Sequence, residues 1–486
     1  MKYYIILCLL TLPILGHSQR IEVSYPSSSF NQEFSGRVLV FLSKKYSTPK
    51  DHISWPCFAK TVKNLQPGQK IIFDDSAISF PLSLSSIERG EYYVQAVFDR
   101  NLGGRDIGSS PGNLFSLPQK LTLTSSMQDT FKLACDQIVP EKTFVESAFI
   151  KELKVPSLLL SQFHKRKMTI DAPVILPAEY WTEPNRKFPV LFTIAGYASD
   201  YHHYSKSESA DTLAATPLDT IPCIKIYLDG SCPLGHSCYA NSANNGPWAD
   251  AFVTEFLPAL QKKFRCDGAF LLRGHSSGGW TSLWLQIHYP KVFAGCNASA
   301  PDPVDFRRFV QTNLYKDSFQ VEEANVLTTG WIKFSKDSLL QDSIRHINIE
   351  RVIYRGEQST SFNAVFSAKG KDGLPEELID YNTGRINKRV FENWKQYDIS
   401  AYLQKHWSTL QKDLKGKIRI SVGNEDNAFL NISAQLLETE MRKRNADIVF
   451  AYYPGTHFTV TTPQYKKDEL TWLRNKYLDW LKQKNK

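Results

Sequence analysis

The sequence predicts an α/β, doubly wound sheet domain preceded by a small β-sandwich, and three features carry that reading. From residue 20 to about 125, short β-branched and aromatic runs are separated by Gly, Pro, Ser and Asp, the signature of a sandwich that is immunoglobulin-like in the loose sense. Beyond about residue 166, strands alternate with helical segments, the mark of a largely parallel sheet covered on both faces. Residues 302–405 separate two of those strands by far more than a crossover needs, which marks an insertion. The expected order is therefore a leader (1–18), a β-sandwich domain (19–125), a connector (126–165) and an α/β domain (166–486) carrying the insertion.

Each element has its own warrant. In the sandwich the runs are Arg37–Leu42, Ile71–Phe73, Glu91–Phe98 and Lys120–Leu123. In the α/β domain the expected strands are Met168–Ile170, Val190–Ile194, Cys223–Leu228, Ala269–Leu272, Phe293–Ala298, Ile418–Val422 and Ile448–Tyr453. Helical spacing places Phe252, Phe256, Leu260 and Phe264 on one face, and Leu470, Leu473, Tyr477 and Trp480 on another. The insertion holds Trp331, Trp394 and Tyr397. An insertion after the strand Phe293–Ala298 emerges at the strand ends where ligands bind in open α/β sheets, so it reads as a lid or substrate platform. The sandwich, by contrast, is not expected to select the substrate.

The chain starts Met1-Lys2, continues into the apolar run Ile5–Leu15 and reaches Gly16-His17-Ser18. This is the three-part pattern of a secretory signal, too short to span a bilayer as a mature helix. Export to a periplasm or the extracellular space is therefore expected, with no membrane span in the mature protein. The net charge of +9 is spread along the chain, apart from short clusters such as His164-Lys165-Arg166-Lys167. No nucleic-acid motif accompanies it, so no nucleic-acid partner is expected. Seven of the eight cysteines follow the leader, an odd number, and Cys232 and Cys238 flank a loop tight enough to be stapled. No Cys/His spacing suits zinc, and no metal or cofactor is expected.

The chemistry centres on Gly274-His275-Ser276-Ser277-Gly278-Gly279. It follows an apolar strand and precedes a helix whose Trp280, Leu283, Trp284 and Ile287 form an apolar face. Strand, sharp turn and helix make a nucleophile elbow, in which small glycines relieve crowding around a strained serine. Ser276 needs a base, and in this arrangement the acid and the histidine follow the serine in sequence. His457, in Tyr453-Pro-Gly-Thr-His457-Phe, lies just past a strand end. His288, His346 and His406 are worse placed. The acid is expected after Ile418–Val422, where Glu425 and Asp426 both qualify; Asp426 is preferred, the shorter side chain being the commoner triad acid. The oxyanion donors are expected to be the amides of Ser277 and, from Ala195-Gly196-Tyr197, of Tyr197.

These motifs, with Phe188-Pro-Val-Leu-Phe and Asn241-Ser-Ala-Asn-Asn-Gly-Pro-Trp248, resemble the putative-esterase family of α/β-hydrolases. That family includes enterochelin-type siderophore esterases, feruloyl and acetyl-xylan esterases, S-formylglutathione hydrolases and mycolyltransferases. The resemblance covers residues from about 166 to 486 and implies a triad of Ser276, Asp426 and His457. It also implies a pocket lined by the stretch from Tyr227 to Trp248, with Asn245, Trp248, His275 and Trp280 as candidate substrate contacts. Ala195 stands where many relatives have a histidine. The expected partner is a small-molecule or carbohydrate-linked ester. The same residues would also serve acyl transfer, and a binding protein on an inactive scaffold is the reading from another class.

Overall fold

The computed structural model describes residues 20–124, 130–205, 217–317, 321–322, 326–327, 349–380 and 385–485. The expected leader, Trp331 and His346 lie outside these residues. The chain forms two compact units. One runs through residue 100 and includes 113–139, and the other takes 101–112 and everything from 140 onward.

In the first unit, Ile71–Phe73, Ile21–Ser24 and Phe131–Ala134 form a three-stranded sheet, and Phe34–Ser43 and Gly90–Asp99 pair at the centre of a seven-stranded one. Strand alternation turns Val38, Val40 and Leu42, and likewise Val94, Ala96 and Phe98, into one core with Ile21, Val23, Phe73 and Leu133. The two sheets thus share a hydrophobic interior. Two strands, Phe131–Ala134 and Gln137–Ile138, fall in the stretch read as connector, so this unit extends past residue 125.

The second unit is built on an eight-stranded sheet. Its strands are β1 (Ile150–Pro156), β2 (Thr169–Ile175), β3 (Phe188–Ile194), β4 (Ile224–Leu228), β5 (Cys266–His275), β6 (Phe293–Ser299), β7 (Ile418–Gly423) and β8 (Ile448–Tyr453). The spatial order is β1-β2-β4-β3-β5-β6-β7-β8, with β2 antiparallel to both its neighbours and the rest parallel. This is the α/β-hydrolase arrangement. Val190, Phe192 and Ile194 enter one apolar layer, while Leu191 enters the other with Leu473 and Tyr477 of the last helix, Pro463–Lys484. Both faces of the sheet are therefore covered by side chains that alternate along each strand.

Three local features differ from expectation. Strand β1 and the helix Leu158–His164 occupy the predicted connector, because Ile150, Leu153 and Val155 are buried although charged residues stand between them. The helix Ile399–Leu414 crosses residue 405 and packs Ile399, Leu403 and Trp407 into the sheet's core, so it is the crossover to β7 and the insertion ends before it. All seven cysteines among the described residues are buried and unbonded. No staple joins Cys232 to Cys238, whose Sγ faces His236 Nδ1 at 3.3 Å. No helix among the described residues is long and apolar enough to cross a membrane.

Candidate active site

The site is assembled at the C-terminal ends of β3, β5, β6, β7 and β8. At the end of β5 the chain turns sharply into the helix Ser277–His288, with Ser276 at φ 58° and ψ −125°. No ordinary residue could flank that turn. A Cβ on Gly274 would lie 2.1 Å from Gly278 O, and one on Gly278 would lie 2.0 Å from Ile194 O. The turn is held by Ser276 N–H donating to Ser299 O (3.0 Å) and by Trp280 N–H donating to Ser276 O (3.0 Å). The serine is left at the positive end of the helix.

The loop after β8 brings His457 beside it. His457 Nε2 is 3.1 Å from Ser276 Oγ, and Nδ1 is 3.1 Å from Asp426 Oδ2. Asp426 is held by Ala428 N–H (2.9 Å) and Leu430 N–H (3.3 Å), both donating to Oδ1, which leaves Oδ2 for the imidazole. The main-chain N–H of His457 donates to Asn427 Oδ1 (3.1 Å), which fixes the backbone on which the ring is mounted. With the proton on Nδ1 donated to Asp426 Oδ2, the Nε2 lone pair faces the serine. Glu425, the alternative acid, is exposed.

The loop that carries the second expected oxyanion donor also lies at the site. A Cβ on Gly196 would lie 3.5 Å from Ser276 Cβ, so the loop after β3 borders Ser276. No described residue accepts a hydrogen bond from the amide of Ser277 or of Tyr197. Two open donors beside a nucleophile match what a developing oxyanion needs. The Tyr197 side chain points away to a polar cluster, where its hydroxyl lies 2.9 Å from Arg105 Nη1 and 2.8 Å from Glu357 Oε2.

The candidate substrate contacts divide. His275 lies at the site, its ring 4.7 Å from that of His457 and its Nδ1 3.1 Å from Ser299 Oγ; burial pushes its pKa down to about 4. Trp248 lines a cavity of about 450 Å³ with Arg105, Asp171, Tyr201 and Asp229, next to the loop that carries Tyr197. Asn245 is fully buried, and its main-chain carbonyl lies 3.0 Å from His164 Nε2. Trp280 is not a substrate contact. It is 1% exposed, stacks on Trp284 and packs at a tilt against Phe366, because the apolar face of the elbow helix points into the core. Trp394 of the insertion is likewise buried, with Nε1–H donating to Ser367 Oγ (2.8 Å) and its ring against Phe309 and Phe366.

Three residues not anticipated from the sequence join the site. Asp302, 2% exposed, lies just past β6 and receives Ser277 Oγ–H at Oδ2 (2.5 Å) and Ser276 Oγ–H at Oδ1 (3.3 Å). Burial pushes its carboxyl up to about 6. Gln358 Nε2 donates to Ser277 Oγ (3.3 Å), bringing the insertion to the elbow. Arg105 comes from the segment 101–112. Of these only Asp302 left a trace in the sequence, a carboxylate at the end of the strand beside the elbow strand. Among the described residues no cluster of His, Cys, Asp and Glu has the makings of a metal centre.

Solved structures similar to this chain include a ferulic acid esterase (15% identity, 68% of this chain and 99% of that one, TM-score 0.40). They include a fluorophosphonate-binding serine hydrolase from Staphylococcus aureus (17%, 67% and 97%, TM-score 0.39) and an S-formylglutathione hydrolase from Agrobacterium tumefaciens (15%, 68% and 98%, TM-score 0.37). No curated protein matches the chain. The family model described as "Putative esterase" matches residues 161–462, and the chain belongs to that esterase family.

Proposed function

We propose that the protein is an exported serine esterase that hydrolyses carboxylic esters through an acyl-enzyme on Ser276. The observation that carries this reading is the imidazole of His457 lying 3.1 Å from both Ser276 Oγ and Asp426 Oδ2, beside two amides open to an oxyanion. His457 Nε2 takes the Ser276 proton as Oγ attacks the ester carbonyl. The oxyanion is received by the amides of Ser277 and Tyr197. His457 then passes the proton to the departing alkoxide, giving the free alcohol. A water, deprotonated by the same imidazole, attacks the acyl-enzyme and releases the acid, and the proton returns to Ser276. Asp426 orients the ring and stabilises the imidazolium.

Export is proposed from the leader pattern at residues 1–18. A small-molecule or carbohydrate-linked ester, siderophore esters included, is the proposed substrate class. It draws support from membership of the esterase family and from the polar cavity beside the Tyr197 loop. The test is chemical. A fluorophosphonate should label Ser276 and no other serine, and Ser276→Ala should fold normally while losing turnover of short nitrophenyl esters on the order of 10⁶-fold. Labelling elsewhere, or a variant that keeps a tenth of the wild-type rate, would overturn the assignment.

A further inference from the structure

We propose that Arg105 is a positioning residue of the esterase reaction, holding Tyr197 so that its amide faces the oxyanion. The inference rests on reading the Tyr197 amide as an oxyanion donor. Residues 101–112 lie in sequence between the strands Gly90–Asp99 and Leu114–Phe115 of the first unit, yet they cluster with the catalytic unit. Loops are ordinarily mobile unless their backbone groups are tied down. This one is tied from two sides. Arg355, 1% exposed, donates to Gly104 O (2.7 Å) and Pro233 O (2.9 Å), and Gly356 lies so close that a Cβ there would sit 2.3 Å from Arg105 O. Gly356 also has φ +88°, so both conformation and space call for glycine.

From that anchored backbone the Arg105 side chain reaches the Tyr197 ring. Nη1 donates to Tyr197 Oη (2.9 Å) and to Gly356 O (2.9 Å), and the guanidinium carbon lies 4.9 Å from the ring centroid. The Tyr197 hydroxyl has one proton for two acceptors, Gly356 O (2.9 Å) and Glu357 Oε2 (2.8 Å). Burial and the Glu357 carboxylate raise its pKa, so it stays a neutral donor. The ring is therefore gripped at its face by a cation and at its tip by three polar groups. Its backbone is one residue from Gly196, which abuts Ser276, so a tilt of the ring is transmitted to the amide. The adjoining Gln358 reaches Ser277 Oγ, so the segment 356–358 links Arg105 to the residues of both donors. Oxyanion donors act only within about 2.7–3.1 Å of the developing charge, so a shift of a few tenths of an ångström is enough to matter.

The experiment uses the full-length protein and three variants, Arg105→Ala, Arg105→Lys and Tyr197→Phe, on a short nitrophenyl ester. Arg105→Ala is expected to lower kcat by about 10- to 100-fold, a part of the 10²–10³ lost when an oxyanion donor is removed outright. KM should stay within about 2-fold, since a short ester does not need the cluster for binding. Arg105→Lys, which keeps the charge over the ring, should recover a substantial part of the loss. If Arg105→Ala does not fold, Tyr197→Phe decides, since it removes only the hydroxyl and should show the same kcat-selective fall. Unchanged kcat in a folded variant, or a fall confined to KM, would overturn the proposal. Fluorophosphonate labelling of wild-type Ser276 is run in parallel: its failure would remove the esterase reading itself, whereas labelling with unaffected Arg105 variants removes only this inference.

Discussion

Asp302→Asn should stabilise the protein above pH 6 and leave it unchanged near pH 4. Asp302 is buried beside Ser276, and desolvation moves its carboxyl from the usual 3.8 to about 6. The hydrogen bonds from Ser277 and Ser276 and the charge of His457 oppose that rise, and Asp426 adds to it. The folded state thus holds the proton more tightly than the unfolded chain does. The stability linked to that proton is fully present below pH 3.8 and is lost as pH rises through about 6. At 1.36 kcal/mol for each pH unit of displacement, the loss comes to about 3 kcal/mol. Asparagine has the same shape and carries no charge, so it should avoid most of that penalty. Urea unfolding followed by tryptophan fluorescence at pH 4, 6 and 8 would measure it. Of the ten tryptophans only Trp55 belongs to the first unit, so the signal reports on the catalytic one. A variant no more stable than wild type at pH 8, or a difference that does not change with pH, would refute the reasoning. The substitution should also spare turnover. Ser276 has one proton, and an ionised Asp302 at 3.3 Å is a rival acceptor to His457 at 3.1 Å.

Two further outcomes follow from the site and its surroundings. Asp426→Asn should lower kcat about 10⁴-fold by favouring the wrong imidazole tautomer, whereas Glu425→Gln, at an exposed position, should cost less than 10-fold; steady-state kinetics of the pair decide it. Trp394→Ala should destabilise the catalytic unit by about 3–5 kcal/mol, the cost of emptying a large buried ring position, and a change in ester preference without loss of stability would contradict its place in the core.

The parts of the site that were legible in the sequence are those whose chemistry constrains neighbouring residues. The elbow must be strand, glycine, serine, glycine and helix within a dozen positions, since a Cβ at Gly274 or Gly278 would strike main-chain atoms. His457 and Asp426 follow apolar strands, so their positions were readable as strand ends. The contacts that escaped are those set by tertiary approach. Asp302 left only a faint trace, a carboxylate between two prolines just past a strand end. Arg105 meets Tyr197 across 92 residues, and Gln358 meets Ser277 across 81, with no local pattern to announce either. Strand β1 escaped for a different reason. Its buried Ile150, Leu153 and Val155 break strict alternation and share the strand with two lysines and a glutamate, which suits an edge strand with partly exposed positions. Trp280 misled because an aromatic next to a nucleophile motif looks like a substrate contact, whereas helical geometry turns it into the core.

The same distinction revises the roles of the sandwich and the insertion. Sequence alone suggested that residues 19–125 form a domain with no part in selecting the substrate and that selection rests with the insertion. The insertion does reach the elbow, through Gln358. Yet residues 101–112 belong to the catalytic unit while their chain neighbours on both sides are strands of the first. A truncation at residue 125 would remove Gly104, which accepts from the buried Arg355, and Arg105, which grips Tyr197. Arg355 would then lose an acceptor in a buried setting, a cost of about 1–3 kcal/mol or more for a charged donor. No single terminal truncation keeps the segment and removes the whole first unit, because the segment lies in sequence between two of that unit's strands. Two strands of the first unit therefore flank, in sequence, the segment whose Arg105 contacts Tyr197.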